Sequence, residues 1–187
     1  PFLNGHTPLY SWTVGNVRIP LMLMDYIGAP KAWIYWPIFK VWRPSVWTMR
    51  LPVCFFSLLT VWILAVFLRR VTNTGVALLT ALLLATDAPF IFTNVFDWGP
   101  VCLLLLSTAL FLYLFRLFLD PGNRVWLGAA FLVAGMATWY KALFVVLIAA
   151  MALSCLLVFW RRLREWMQPS NIFVAAVSFA IGFALQF

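Results

Sequence analysis

Long apolar runs alternate with short polar segments along most of the chain, and these runs predict membrane-spanning helices. The run Leu51–Leu68 contains no charged residue and lies between Arg50 and the pair Arg69-Arg70. Its length is close to the roughly 20 residues that a helix needs to cross about 30 Å of hydrocarbon. Similar runs follow at Gly75–Thr93, Trp98–Phe115, Val125–Tyr140, Ala142–Trp160 and Asn171–Phe187. The pattern therefore predicts five complete spans and the beginning of a sixth.

The first 50 residues have a different pattern, in which prolines and aromatic residues recur at short intervals. An interior proline removes a backbone hydrogen-bond donor and clashes with the preceding turn, so one continuous helix is not expected. Short helices lying in the membrane interface fit better, with the aromatic side chains at the level of the headgroups. We therefore predict an interfacial segment over residues 1–50 and a helical bundle over residues 51–187. The prolines are Pro1, Pro8, Pro20, Pro30, Pro37 and Pro44, and the aromatic residues include Trp33, Tyr35, Trp36, Trp42 and Trp47.

Composition supports an all-α, polytopic membrane protein. Of the 187 residues, 65% are hydrophobic and 10% are charged. An average soluble domain is about half apolar and about one quarter charged, and it could not bury this much apolar surface. The chain begins with Pro1 rather than a methionine, and its last apolar run continues to Phe187. We therefore expect a fragment of a longer protein.

The distribution of positive charge predicts which ends of the spans share a side. The loops at 69–74, 116–124 and 161–170 carry seven arginines, whereas the loop at 94–98 and the junction at Lys141, on the other side, carry a single basic residue. The positive-inside rule makes the arginine side cytoplasmic, and the first 50 residues then lie outside, together with Asp97 and Lys141. That outer segment is itself basic, which suggests that it binds a phosphate. The net charge of +8 comes mainly from residues flanking spans, so anchoring explains it better than binding of nucleic acid.

No metal or cofactor site is expected. Cys54, Cys102 and Cys155 lie in separate apolar runs without the spacing of metal ligands, so packing is their simplest role. The single histidine, His6, has no companion ligand. No nucleophile triad, phosphate-binding glycine loop or nucleotide site is recognisable.

Lys31 and Asp97 are the leading candidates for chemistry, because ionisable groups at the ends of membrane spans are costly and usually functional. Each has a simpler alternative. Lys31 could anchor the chain at the interface, as could Arg50 and Lys141, and Asp97 could cap the helix that begins near Gly99. Asp87 lies within an apolar run, and we expect it to accept hydrogen bonds from backbone donors near Pro89.

The order of several motifs is similar to the membrane half of the GT-C glycosyltransferases. The resemblance is to the family 39 group, which is related to protein O-mannosyltransferases and lipid A aminoarabinose transferases. It extends over about residues 20 to 165, and its strength lies in the order and spacing of the motifs. In this chain they are Lys31–Trp36, residues 45–52 with Arg-Leu-Pro at their end, Arg69-Arg70, Leu82–Pro89, Asp97 and Thr138–Lys141.

The resemblance implies an inverting transfer of a sugar from a polyprenyl-phosphate donor on the outer face of the membrane. Because no diphosphate is broken, this chemistry does not require a metal. The family's phosphate-contacting lysine matches Lys31, its second loop acid matches Asp97, and its later lysine matches Lys141. Arg50 could also hold the phosphate, and Tyr35 and Trp36 could stack on the sugar or the prenyl chain. The family's first acid has no counterpart between Pro1 and Met24, and Asp25 lies too close to Lys31 to replace it.

The acceptor stays open among a protein hydroxyl, a lipid A phosphate and a cell-envelope glycan, and the motifs favour a bacterial inner membrane. The alternative function is a transporter or flippase segment, in which charged groups would lie near mid-membrane on broken helices. A purely structural membrane subunit is the third possibility. The clustering of charges at span ends favours the transferase.

Overall fold

A small antiparallel sheet precedes a bundle of helices in the computed structural model, which describes residues 10–14, 17–24, 27–95, 99–120, 122–158 and 166–184. The prediction of an all-α membrane bundle is confirmed. The strands are β1 (Tyr10–Val14), β2 (Val17–Met24) and β3 (Ile27–Gly28). The helices are α1 (Pro30–Val41), α2 (Val46–Val71), α3 (Thr74–Thr86), α4 (Ala88–Val95), α5 (Val101–Leu119), α6 (Arg124–Tyr140), α7 (Phe144–Val158) and α8 (Pro169–Phe183).

The sheet occupies a part of the chain for which short interfacial helices were expected, and over the described residues 10–28 that expectation is wrong. The strands pair in the order β1-β2-β3. Tyr10 pairs with Met22, whereas Ser11 pairs with Pro20, so β2 carries one extra residue beside its proline. A bulge is a position at which a strand tolerates proline, because a ladder hydrogen bond is already missing there. Pro20, one of the prolines that argued against a continuous helix, therefore lies in β2.

α1 is the one helix of the first segment among the described residues. Pro30 occupies its first turn, where the missing N–H costs nothing. Pro37 lies inside α1, and the helix continues through it to Val41. The expectation that prolines divide this segment is correct for the segment as a whole but not for α1.

α2 begins five residues before the apolar run that predicts it. Ser45 caps the helix, because its Oγ accepts from the N–H of Thr48 at 3.2 Å while the Thr48 Oγ1 accepts from the N–H of Ser45 at 2.8 Å. This reciprocal capping box satisfies two backbone donors at the helix start. Arg50 therefore lies within the helix rather than in front of it. Arg69 and Arg70 occupy the last turn, where the helix dipole favours positive charge.

Among the described residues, two helices, α2 and α5, are long and apolar enough to cross a membrane. α3 and α4 meet the same test as a pair, bent by 59° at Asp87, whose Oδ2 accepts from the N–H of Phe90 at 2.8 Å. The predicted capping role of Asp87 is confirmed. The runs behind α6, α7 and α8 form helices close to the predicted positions. α7 and α8 have 15 residues each, or about 22 Å, and that they cross the membrane stays a prediction.

The tightest helix pair is α6 with α8, and glycine makes it possible. A Cβ added to Gly135 would lie 2.2 Å from the carbonyl oxygen of Phe179, and one added to Gly182 would lie 2.3 Å from that of Leu132. Small residues at a helix contact allow backbones to approach this closely in membranes. α6 also packs on α5 and α7 through a buried cluster of Phe111, Ala130, Ala134, Ala137 and Phe144.

Candidate functional site

Lys31 binds to the start of α5 through a hydrogen bond that joins distant parts of the chain. Its Nζ donates to the carbonyl oxygen of Gly99 at 2.9 Å. Gly99 has a φ of 61°, a backbone conformation that glycine adopts without strain. Asp97 lies two residues before Gly99 and outside the described residues. This contact places Lys31 beside Gly99 at the start of α5, and that Lys31 and Asp97 lie on the same side of the membrane stays a prediction.

Lys31 also lines a narrow pocket between α1, α2, α5 and α6. Lys31, Ile34 and Tyr35 contribute because positions i, i+3 and i+4 share one face of a helix. The other lining residues are Val53, Phe56, Gly99, Cys102, Leu103 and Tyr140. The pocket therefore combines one cation and two phenols with an apolar wall. The pocket itself has a volume of only about 10 Å³, close to the size of one water molecule, so a larger ligand could contact this lining only from outside.

Tyr35 connects α1 to the first turns of α2. Its hydroxyl donates to the carbonyl oxygen of Met49, and its ring stacks on that of Phe39 with 5.4 Å between centroids. Arg50 follows Met49 and is half-buried. Because this bond joins α1 to α2, it holds the helix that carries Lys31 beside the helix that carries Arg50.

Three contacts at or next to Trp139 join the sheet and α1 to the end of α6. The ring of Trp33 lies 5.0 Å from that of Trp139, and its Nε1 donates to the carbonyl oxygen of Pro20 at 2.8 Å. Gly28 lies so close that a Cβ there would be 2.7 Å from the carbonyl oxygen of Trp139. The backbone of Lys141 pairs with Ile27 as an antiparallel bridge. These contacts set the position of α1, and hence of Lys31, relative to α6.

The structure brings some predicted site residues together and separates others. Lys31 and Tyr35 line the pocket, and Lys141 is the residue after the pocket residue Tyr140. Trp36 does not line the pocket, because its side chain is 56% exposed and carries the Lys40 ammonium 3.9 Å above its ring. Asp97 and Asp25 lie outside the described residues.

Several residues around the site were not singled out from the sequence. Tyr140 and Cys102 line the pocket, and the Cys102 Sγ donates to the carbonyl oxygen of Val53 at 3.4 Å. Two buried polar atoms, Asn94 Oδ1 and Trp139 Nε1, lack a hydrogen-bond partner in the described part of the chain. In the sequence, the one indication of a role for Trp139 and Tyr140 was that they directly precede Lys141. That motif had been selected because of its lysine. In the described residues, no group of three metal-ligating side chains comes together.

Comparison with known families gives one result. The family model described as dolichyl-phosphate-mannose-protein mannosyltransferase matches residues 30–186. The match begins at α1, which carries Lys31, and includes every helix named above. Comparisons with curated proteins and with solved structures give no significant match.

Proposed function

Because the chain belongs to the dolichyl-phosphate-mannose-protein mannosyltransferase family, we propose that it transfers a sugar from a polyprenyl-phosphate donor to an acceptor at the outer face of the membrane. Its family and its apolar helices identify it as a membrane glycosyltransferase of the mannosyltransferase type. The observation that carries the proposal is the position of Lys31 in a pocket with an otherwise apolar or phenolic lining.

Lys31 is suited to hold the donor phosphate. Its ammonium lies where the start of α1 meets the start of α5, and it is anchored by the carbonyl oxygen of Gly99. An ammonium carries a full positive charge and three N–H donors, which are the properties that bind phosphate oxygens. The wall formed by Ile34, Phe56 and Leu103 would contact the first units of a prenyl chain. Arg50, half-buried beside Met49, is placed to add a second cation.

The proposed reaction is a single displacement. The nucleophilic atom of the acceptor forms a bond to the anomeric carbon as the bond from that carbon to the phosphate oxygen breaks. The electron pair leaves with the phosphate, and the proton of the acceptor passes to a carboxylate. Attack opposite the leaving group inverts the anomeric centre. A fixed cation beside the phosphate stabilises the charge that develops on it, and one such group typically changes the rate by about 10²- to 10³-fold.

Asp97 is our candidate for the carboxylate that orients the acceptor or supports the base. It precedes Gly99 by two residues in the sequence, and the carbonyl oxygen of Gly99 accepts a hydrogen bond from Lys31. Lys141 would assist from the end of α6, beside Tyr140. The acceptor could be a protein, a lipid or a glycan, and the membrane a bacterial inner membrane.

The positions of the charges do not favour the transporter alternative. In the described helices, every charged side chain lies within the first or last two turns, or at the bend between α3 and α4. A transporter would place such groups near mid-membrane on broken helices. At the break between α3 and α4, the carboxylate of Asp87 already accepts a hydrogen bond from the backbone N–H of Phe90.

A transfer assay tests the proposal in membranes that contain the full-length protein. Labelled polyprenyl-phosphate sugar is supplied, and product is measured for wild type, Lys31→Ala and Lys31→Arg. We expect Lys31→Ala to lower transfer by about 10²-fold or more, because the developing phosphate charge loses its cation. Lys31→Arg should retain part of the activity, since it preserves the charge but changes its geometry.

Lys40→Ala is the matched control, because Lys40 lies on the same helix over the exposed ring of Trp36 and does not line the pocket. It should transfer sugar as wild type does. If Lys31→Ala and Lys40→Ala transfer sugar equally well at equal expression, Lys31 does not bind the donor phosphate. Absence of transfer by the wild-type protein, with substrate uptake instead, would favour the transporter.

A further inference from the structure

A groove opens between α5, α6, α7 and α8 at the end of the bundle opposite the Lys31 pocket. Its volume is about 300 Å³, at the lower end of the range of roughly 300–1,000 Å³ that is typical of ligand sites. It involves the last turns of α5 and α7 and the first turns of α6 and α8. We call it the arginine-end groove, because Arg116 and Arg124 belong to the same helix ends. Its lining includes Phe111, Phe115, Phe131, Met151, Trp166 and Asn171.

The floor of the groove is rigid and aromatic. Phe111 is fully buried, and it packs edge-on against Phe131 and Phe144 with centroid distances of 6.0 and 6.2 Å. α7 contacts this floor at Phe144 but is open to its surroundings at its far end, where Leu157 is 76% exposed. The groove thus lies open beside a helix end that is itself apolar.

A polar group marks one edge of this apolar groove. Asn171 is buried, its Oδ1 accepts from the Arg124 Nε at 3.1 Å, and its Nδ2 donates to the carbonyl oxygen of Trp166 at 3.0 Å. The oxygen of the amide therefore holds Arg124 beside the groove, and its nitrogen holds the backbone at Trp166. Arg124 itself is exposed at the start of α6, and its terminal guanidinium nitrogens retain donors for an anion.

Asp120, the acidic residue at the end of α5, pairs with arginines other than Arg124. Asp120 forms ion pairs with Arg116 and, at 4.0 Å, with Arg70. Within the described ranges, no ion pair includes Arg124. A positive charge therefore lies at the rim of an apolar groove.

We propose that the arginine-end groove binds an anionic phospholipid, with one acyl chain on the aromatic floor and the phosphate on Arg124. Basic pockets between membrane helices bind anionic headgroups on the cytoplasmic side, which is the side that the sequence predicts for this end. A helix is about 10–12 Å across, so a groove of this volume would hold less than one turn of it. An acyl chain is the apolar group of suitable width. The site is separate from the donor pocket, which lies at the other end of α5 and α6.

Lipid binding can be measured directly by native mass spectrometry of the purified full-length protein in detergent. The protein is titrated with phosphatidylglycerol and, separately, with phosphatidylcholine of the same acyl chains. Wild type should prefer phosphatidylglycerol by roughly two- to fivefold, because both lipids offer a phosphate to Arg124 but phosphatidylcholine also carries a quaternary ammonium that the exposed guanidinium repels. Arg124→Gln should bring the two lipids close to equal affinity. Ala152→Phe, which places a ring in the groove, should weaken the binding of both lipids.

Arg69→Gln is the control, because Arg69 is an exposed arginine at the same end that does not line the groove. It should retain the preference of the wild type, and sugar transfer by all variants reports whether they fold. Three results would overturn the proposal: equal binding of the two lipids by the wild type, equal loss in Arg124→Gln and Arg69→Gln, or displacement of the phospholipid by polyprenyl phosphate. Loss of transfer alone, with lipid binding intact, would bear on the donor pocket and not on this groove.

Discussion

At the scale of single residues, Gly28 is the position at which the sheet segment comes closest to the bundle. The backbone of Trp139 leaves no space for a side chain there, and Lys31 follows only three residues later. The absence of a Cβ at Gly28 therefore determines how α1 lies against α6. The position of the proposed phosphate ligand depends on this contact.

Gly28→Val tests this dependence. A Cβ at residue 28 would lie 2.7 Å from the carbonyl oxygen of Trp139, so the β3–α1 connection has to shift. We expect sugar transfer to fall by roughly tenfold or more, since small displacements of a positioning group carry costs of this order. Transfer kinetics in membranes measure the effect. Gly75→Ala, whose Cβ would meet only the Asn73 side chain at 3.3 Å, should change little, and an equal effect of both substitutions would contradict the account.

The sequence predicted part of this site, because charge and span parity are properties of the chain order. Lys31 was identified by its charge in apolar surroundings, and its proximity to the loop before α5 followed from counting spans. The contacts of Trp33 and Gly28 with Trp139 could not be predicted in this way. They depend on how α1 packs on α6, and no local pattern encodes a contact between residues more than 100 positions apart.

At the scale of elements, the contact between α6 and α8 holds the second half of the bundle together. Their backbones cross at Gly135 and Gly182, where neither helix has room for a methyl group. Both helices also carry residues of the arginine-end groove at their first turns. The packing of this pair therefore sets the width of the groove.

Gly135→Ala should destabilise the protein. The added Cβ would lie 2.2 Å from the carbonyl oxygen of Phe179, so the two helices must separate. Overpacking of this kind costs about 1–3 kcal/mol, which lowers the melting temperature by several degrees in a protein of this size. Thermal unfolding of the purified protein measures it. Gly128→Ala on the same helix, with its Cβ 3.2 Å from the Ser178 Oγ, should shift the melting temperature less, and the reverse order would be inconsistent with this packing.

Elements were predicted well where a single property of the sequence, such as the length of an apolar run, determines the structure. They were predicted poorly where several properties compete. The apolar run behind α2 has a length and polarity that fit only a membrane helix, and the helix is there. The strands of residues 10–28 were missed because prolines, aromatic residues and short length gave no clear period. Their pairing depends instead on a bulge beside Pro20 and on a hydrogen bond from the N–H of Ala29 to the carbonyl oxygen of Leu21, at 3.1 Å.

At the scale of the whole molecule, the bundle has two chemically different ends. One end contains the sheet, α1 and the pocket of Lys31, where the anionic ligand is a sugar donor in our proposal. The other contains the ion pairs of Asp120 and the arginine-end groove, where the ligand is a membrane phospholipid. α5 and α6 take part in both sites, so each site lies at one end of the same helix pair.

Site-specific photocrosslinking tests most directly whether the pocket of α1 binds the lipid-linked donor. A photoreactive amino acid is placed at Ile34, which lines the pocket, or at Trp36, which lies on the exposed face of the same helix. Labelled polyprenyl-phosphate sugar is then irradiated with each protein, with and without excess unlabelled donor. The account predicts competable labelling at position 34 and little at position 36. Labelling at position 36 alone, or equal labelling that unlabelled donor does not reduce, would contradict it.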